Sequence, residues 1–221
     1  MNNNIERRAY TFDINREERE DGTSTLVGRP IVYGSATDIG GFYSEIIEPG
    51  ALDGADMRDV PLLVNHNDKM IPVARSRRNT PNSTLQLVPD AEGLSMTANI
   101  DTERNATARE LDSAVERRDI DGMSFGFIVD GERWDNLDTD YPTRHILKFA
   151  QIVEVSAVTW PAYAATTIDA RDAKAALDSA RAALDSAREN APEARSLDSD
   201  KGTQDTTKTL ELLKAKLDLI Q

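Results

Sequence analysis

All twelve aromatic residues of the chain lie at or before Tyr163, and so do eleven of its twelve glycines. Aromatic side chains bury the largest areas and dominate cores, so a packed core has to be built upstream of that point. Beyond it the chain is mostly Ala, Asp, Ser, Arg, Leu and Lys. A globular domain over 1–170 followed by a polar tail over 171–221 is therefore expected. The tail holds ten acids and nine bases, which leaves 29 acids and 17 bases in the body, so nearly all of the net charge of −13 belongs to the folded part. That sign opposes phosphate backbones, and no nucleic-acid partner is expected. The chain has no cysteine, and its two histidines stand 79 residues apart. A disulfide framework, thiolate chemistry and a Cys-built metal site are excluded, a His-built one is a poor bet, and no cofactor is expected. No apolar run approaches the ~20 residues of a membrane span, and the start, MNNNIERRAY, lacks a signal-peptide core. A soluble cytosolic protein without a membrane partner is the expectation.

The tail contains a perfect seven-residue repeat, Ala175-Ala176-Leu177-Asp178-Ser179-Ala180-Arg181 followed by Ala182-Ala183-Leu184-Asp185-Ser186-Ala187-Arg188. Leu177, Ala180, Leu184 and Ala187 form a narrow helical seam that Pro192 stops. After a Ser/Asp/Thr-rich linker over 196–207, Leu210, Leu213, Leu217 and Ile220 define a second seam. Two short seams that bury little alone suit a docking element for another chain, and a mostly disordered solubilising tail is the competing reading.

The body reads mainly as strands. Polar and apolar residues alternate through Leu26–Tyr33, Leu85–Val88, Leu94–Ile100, Met123–Val129 and His145–Phe149. The more continuous run Ile152–Val158 predicts a strand buried on both faces. One helix is expected over 105–118, where Ala108, Leu111, Ala114 and Val115 recur at helical spacing, with Asp121-Gly122 as the turn after it. Short strands with one or two helices predict an α+β fold: a closed or strongly bent, mostly antiparallel β-barrel with helices packed outside.

Three polar residues inside apolar sequence stand out, because burying such a group costs free energy unless it is satisfied or used. His66 ends the apolar stretch Pro61–Val64 among amide and acid neighbours, and an imidazole titrates where a general base works. A surface or satisfied histidine is the plainer alternative. Ser124 lies in Gly122-Met123-Ser124-Phe125-Gly126-Phe127, on the strand face opposite the bulky side chains and beside a glycine that leaves room for a substrate backbone. A strand serine is more often structural, and as a nucleophile it needs a base nearby. Glu154 sits inside Ile152–Val158, where a carboxylate needs a partner. Orienting an imidazolium is one use for it, and pairing with an arginine is the other.

Taken together, these places resemble the phage prohead maturation proteases of the Hong Kong 97 type. The matching pieces, in the family's order, are Tyr43–Ala51, Val60–His66, Gly93–Met96, Asp121–Phe127 and Glu154–Tyr163, across about residues 8–170. The resemblance implies a serine endopeptidase with a fold similar to the herpesvirus assembly protease. It implies His66 as general base, Ser124 as nucleophile and Glu154 as the group orienting the base. The herpesvirus enzymes use a second histidine in that third role, so His145 stays a rival to Glu154, and it reads as an exposed strand position. Arg75 is a candidate contributor to oxyanion stabilisation. The implied partners are the major capsid protein and the scaffold as substrates, with the chain itself as a further substrate and a homodimer left open. The implied location is the host cytoplasm, inside the assembling prohead. The alternative from another class is a non-catalytic capsid scaffold or assembly module.

Overall fold

The computed structural model describes residues 5–10, 14–18, 24–159 and 167–189. Trp160–Tyr163, Pro192, the 196–207 linker and the Leu210–Ile220 seam lie outside the described residues. In chain order the strands are β1 (Glu6–Tyr10), β2 (Asn15–Glu18), β3 (Ser24–Val32), β4 (Thr37–Ile39), β5 (Tyr43–Ile47), β6 (Asp59–Val64), β7 (Ala74–Arg77), β8 (Leu85–Asp90), β9 (Gly93–Ile100), β10 (Gly122–Asp135) and β11 (Thr143–Val158). Helix α1 (Ala106–Glu116) lies between β9 and β10, and α2 (Thr167–Glu189) follows β11. The boundary drawn from composition at 170 falls within α2. Contacts divide the chain into Met1–Arg181 and Ala182–Gln221. No helix among the described residues is long and apolar enough to cross a membrane.

The α+β class is as expected, but the ladders among the described residues draw two sheets and no closed barrel. One has seven strands in the order β1-β10-β11-β5-β4, with β6 added on β11 and β7 on β6; the other has four in the order β2-β3-β9-β8. Most pairings are antiparallel, but β11 pairs in parallel with β5 along its first half and with β6 along its second. The two apolar stretches expected as separate strands, 145–149 and 152–158, are one strand of 16 residues. It is this length that lets β11 hold two short parallel neighbours end to end.

Local sequence explains the main departures from regular pairing. Pro30, inside the expected Leu26–Tyr33 strand, cannot donate to a ladder, and the β3–β9 register shifts between Gly28 and Ile31. On β11 the register with β10 steps from Gly126↔Glu154 to Phe127↔Ile152, so Val153 is the extra residue of a bulge. Without it Ile152 and Glu154 would share a face; with it Ile152 joins the core while Glu154 turns to the other side. Helix α1 starts at Asn105, whose side chain accepts the Ala108 N–H at 3.2 Å, and it buries Ala108, Leu111 and Val115.

The core lies on the face of β10 that carries Met123, Phe125 and Phe127. The Phe125, Phe127 and Phe149 rings meet with centroids 4.9–6.0 Å apart, an arrangement that contributes about 0.5–1.5 kcal/mol per pair beyond burial. A smaller apolar cluster joins Ala173 and Leu177 of α2 to Ile39 and Tyr43.

Beside the rings a charged network is buried. Arg8 donates to both oxygens of Glu45, at 2.6 and 2.9 Å, and to Glu6 at 2.8 Å. Arg144 donates to both oxygens of Glu6, at 2.9 and 2.6 Å, to Glu45 at 3.1 Å and to Glu132. It thereby ties β1, β5, β10 and β11 together. Burial alone would raise the Glu6 carboxyl, but the hydrogen bonds and charges of Arg144 and Arg8 prevail and hold it below its ordinary 4.5. Burial pushes the Tyr43 hydroxyl up to about 12. A depressed folded-state pKa contributes stability that is present above the unfolded value and lost as pH falls through the folded one. Unfolding monitored against pH should therefore show full stability above pH 4.5 and a decline below it, and the Glu6 share of that decline should be missing in Glu6→Gln.

Candidate functional site

Residues on the other face of the β10–β11 pair form the site. Ser124 pairs directly with Ser156, and Gly126 with Glu154, so all four share that face. Ser124 and Ser156 are fully buried and Glu154 nearly so. A Cβ at position 126 would stand 2.9 Å from Glu154 Oε1 and 3.2 Å from its Cγ, so the glycine is what admits the carboxylate.

The local chain path brings His66 to this carboxylate. Strand β6 runs parallel to β11 with Leu63 opposite Ser156 and Val64 opposite Ala157. Continuing straight would carry the chain past the site. Instead Asn65 and His66 both adopt left-handed backbone, with φ of 50° and 57°. For non-glycine residues this costs on the order of 1–2 kcal/mol each, and such strain concentrates at functional sites. Several bonds hold the turn. Asn65 N–H donates to Ala157 O at 2.9 Å, Thr159 N–H donates to Asn65 Oδ1 at 3.0 Å, and His66 N–H donates to Ser156 Oγ at 3.2 Å.

The imidazole Nδ1 of His66 lies 2.6 Å from Glu154 Oε1. Against an ionised carboxylate, which only accepts, Nδ1 is the donor, and in the neutral ring Nε2 is then the lone-pair acceptor. That is the tautomer a general base needs. The second carboxylate oxygen, Oε2, accepts the Ser156 hydroxyl at 2.6 Å. Arg7 of β1 adds a positive charge nearby, its Nε 3.9 Å from Glu154 Oε1.

Ser124 shares the face but not the hydrogen bond: its hydroxyl donates to the main-chain carbonyl of Arg8 at 2.8 Å. Turning about χ1 away from that carbonyl is the motion that would direct it elsewhere on the face. Catalytic hydrogen bonds commonly tighten only once substrate is bound. A cleft of about 550 Å³ opens beside His66, lined in part by Leu63, Val73 and Ile71 and, from α1, by Thr107 and Glu110.

The other sequence candidates lie elsewhere. His145 is buried rather than exposed, because its Nδ1 meets Glu48 at 2.6 Å and its Nε2 meets Asp135 at 3.1 Å. It stands nine positions before Glu154 on the same strand, roughly 30 Å away at strand rise, and does not join His66. Arg75 is engaged by both oxygens of Asp59 at 2.6 and 2.7 Å. Ser156 was not among the expected functional residues, although its spacing of two from Glu154 put it on the same strand face. Among the described residues no group of three or more His, Asp or Glu side chains converges as a metal site.

The family model of the caudovirus prohead serine proteases matches residues 11–179. No curated protein and no solved structure matches the chain.

Proposed function

Because the chain belongs to the caudovirus prohead serine protease family, a family of serine peptidases of phage capsid maturation, we propose that His66 is its general base, Ser124 its nucleophile and Glu154 the carboxylate that orients the base. The observation carrying this reading is the 2.6 Å hydrogen bond from His66 Nδ1 to Glu154, two ladder positions from Ser124 on the same face. His66 Nε2 takes the proton as Ser124 Oγ attacks the peptide carbonyl, then gives it to the departing amine. An acyl-enzyme results, and water, deprotonated by the same nitrogen, releases it. Glu154 holds the ring in the required tautomer and balances the imidazolium that forms. Substrates under this reading are the major capsid protein, at its scaffolding segment, and the scaffold, cut inside the assembling prohead. The enzyme also cuts its own chain within 170–207.

The test is a mass spectrum of the full chain co-expressed with its capsid protein. Shortened capsid protein and a trimmed 170–207 region are expected for the natural sequence, and intact chains for His66→Ala. Equal processing by both would remove His66 from the mechanism. A second expectation concerns Gly126→Ala. The added methyl has to displace the carboxylate, and misplacement of about 1 Å costs on the order of 100-fold in rate. Peptide hydrolysis by the folded variant checks it.

A further inference from the structure

We propose that Ser156 is a positioning residue for this reaction, its hydroxyl fixing the Glu154 carboxylate and the His66 turn relative to each other. The inference rests on the roles given to His66, Ser124 and Glu154 above. A glutamate has three side-chain torsions, and the last is broad. A single bond from Oε1 to His66 would leave the carboxylate plane free to swing. Ser156 removes that freedom by donating to Oε2 at 2.6 Å while His66 Nδ1 engages Oε1 at 2.6 Å. Ser156 Oγ also accepts the main-chain N–H of His66 at 3.2 Å, inside the left-handed turn that folds the imidazole back over β11. One hydroxyl thus anchors both ends of the acid–base pair.

Proton accounting makes the assignment specific. The carboxylate can only accept and the His66 N–H can only donate, so Ser156 has to donate to one and accept from the other. Its single proton goes to Glu154 and not to His66 Nε2, the nitrogen given the role of base. Two serines face each other across the β10–β11 ladder. Ser156 is engaged by Glu154 and the His66 turn, whereas the Ser124 hydroxyl donates to one main-chain carbonyl.

The experiment measures kcat and KM for capsid-derived peptide cleavage by the full chain carrying Ser156→Ala, Ser156→Thr or His66→Ala. Proton NMR of the deshielded His66 Nδ1–H runs alongside. Misplacing a catalytic group by about 1 Å costs on the order of 100-fold in rate. Ser156→Ala should therefore lower kcat by up to about that factor, leave KM within about twofold, and shift or broaden the Nδ1–H signal. Ser156→Thr, which keeps the hydroxyl, should retain both kcat and the signal. A Ser156→Ala enzyme with the natural kcat and an unmoved signal, beside an inactive His66→Ala, overturns the proposal while the His66 assignment stands. An active His66→Ala overturns that assignment and this proposal with it. Should Ser156→Ala not fold, Ser156→Cys carries the test. A thiol fills the same space but donates weakly, so an intermediate kcat supports the proposal and an undiminished one overturns it.

Discussion

Ser124→Ala is expected to stop processing of the co-expressed capsid protein, with a residual rate on the order of a millionfold below the natural enzyme, the loss seen when a serine nucleophile is removed from a cooperating set. Such losses are not additive, so combining it with His66→Ala should reduce the rate little further. The fold should survive. The hydroxyl makes one described hydrogen bond, to the Arg8 carbonyl, and a typical one contributes about 0.5–1.5 kcal/mol. A thermal midpoint close to natural, together with intact capsid protein, would separate loss of chemistry from loss of structure. Normal processing by Ser124→Ala would take the nucleophile away from this position.

Glu45→Gln should have the largest effect on stability, about 3–5 kcal/mol. Glu45 is fully buried and receives three hydrogen bonds, two from Arg8 and one from Arg144. Glutamine keeps the shape but removes the charge that offsets the desolvation of two guanidiniums, and it turns an NH2 donor toward them. Breaking one member of a buried ion network costs far more than the network's net contribution, because the remaining charges stay buried and uncompensated. Denaturant unfolding of the two proteins at one pH measures the difference. A loss below about 1 kcal/mol, the range of an exposed pair, would mean that water reaches the network.

The same network explains why part of the fold could not be read from residue patterns. Strands β3, β8, β9 and β10 follow alternation of apolar and polar residues, and α1 falls inside the expected 105–118. In β1 the inward face is charged, with Glu6 and Arg8, and in β5 Glu45 points inward between Tyr43 and Ile47; each of the three is satisfied by a residue distant in sequence. A charged inward face looks like a solvated one until its partners are known. His145 misled for the same reason, since Glu48 and Asp135 make its burial affordable. The bulge at Val153 was equally hidden. The run Ile152–Val158 reads as uniformly apolar around one acid, and only pairing with β10 reveals the change of phase that sends Glu154 to the opposite side from Ile152.

His66 and Glu154, marked out as polar residues in apolar surroundings, are in contact, because a buried carboxylate needs a partner whatever its role. What sequence could not supply was the path between them: two left-handed residues after β6, and a parallel pairing with β11 that no local pattern announces. Ser156 escaped notice because a short hydroxyl in a strand rarely signals anything by itself. Its position two residues from Glu154 was the available hint.

The segment shared with the family begins at residue 11, and β1 ends at Tyr10. This strand supplies the carbonyl that holds Ser124, the guanidinium beside Glu154, and two of the charges buried against β5 and β11. A fragment trimmed to the shared segment would release the Ser124 hydroxyl and leave Glu45 and Arg144 without Arg8 and Glu6. Its rate and its melting point would then describe a different molecule. For dissecting this enzyme the natural unit is Met1–Arg181, with the leading strand kept beside the proposed Ser124–Glu154 site.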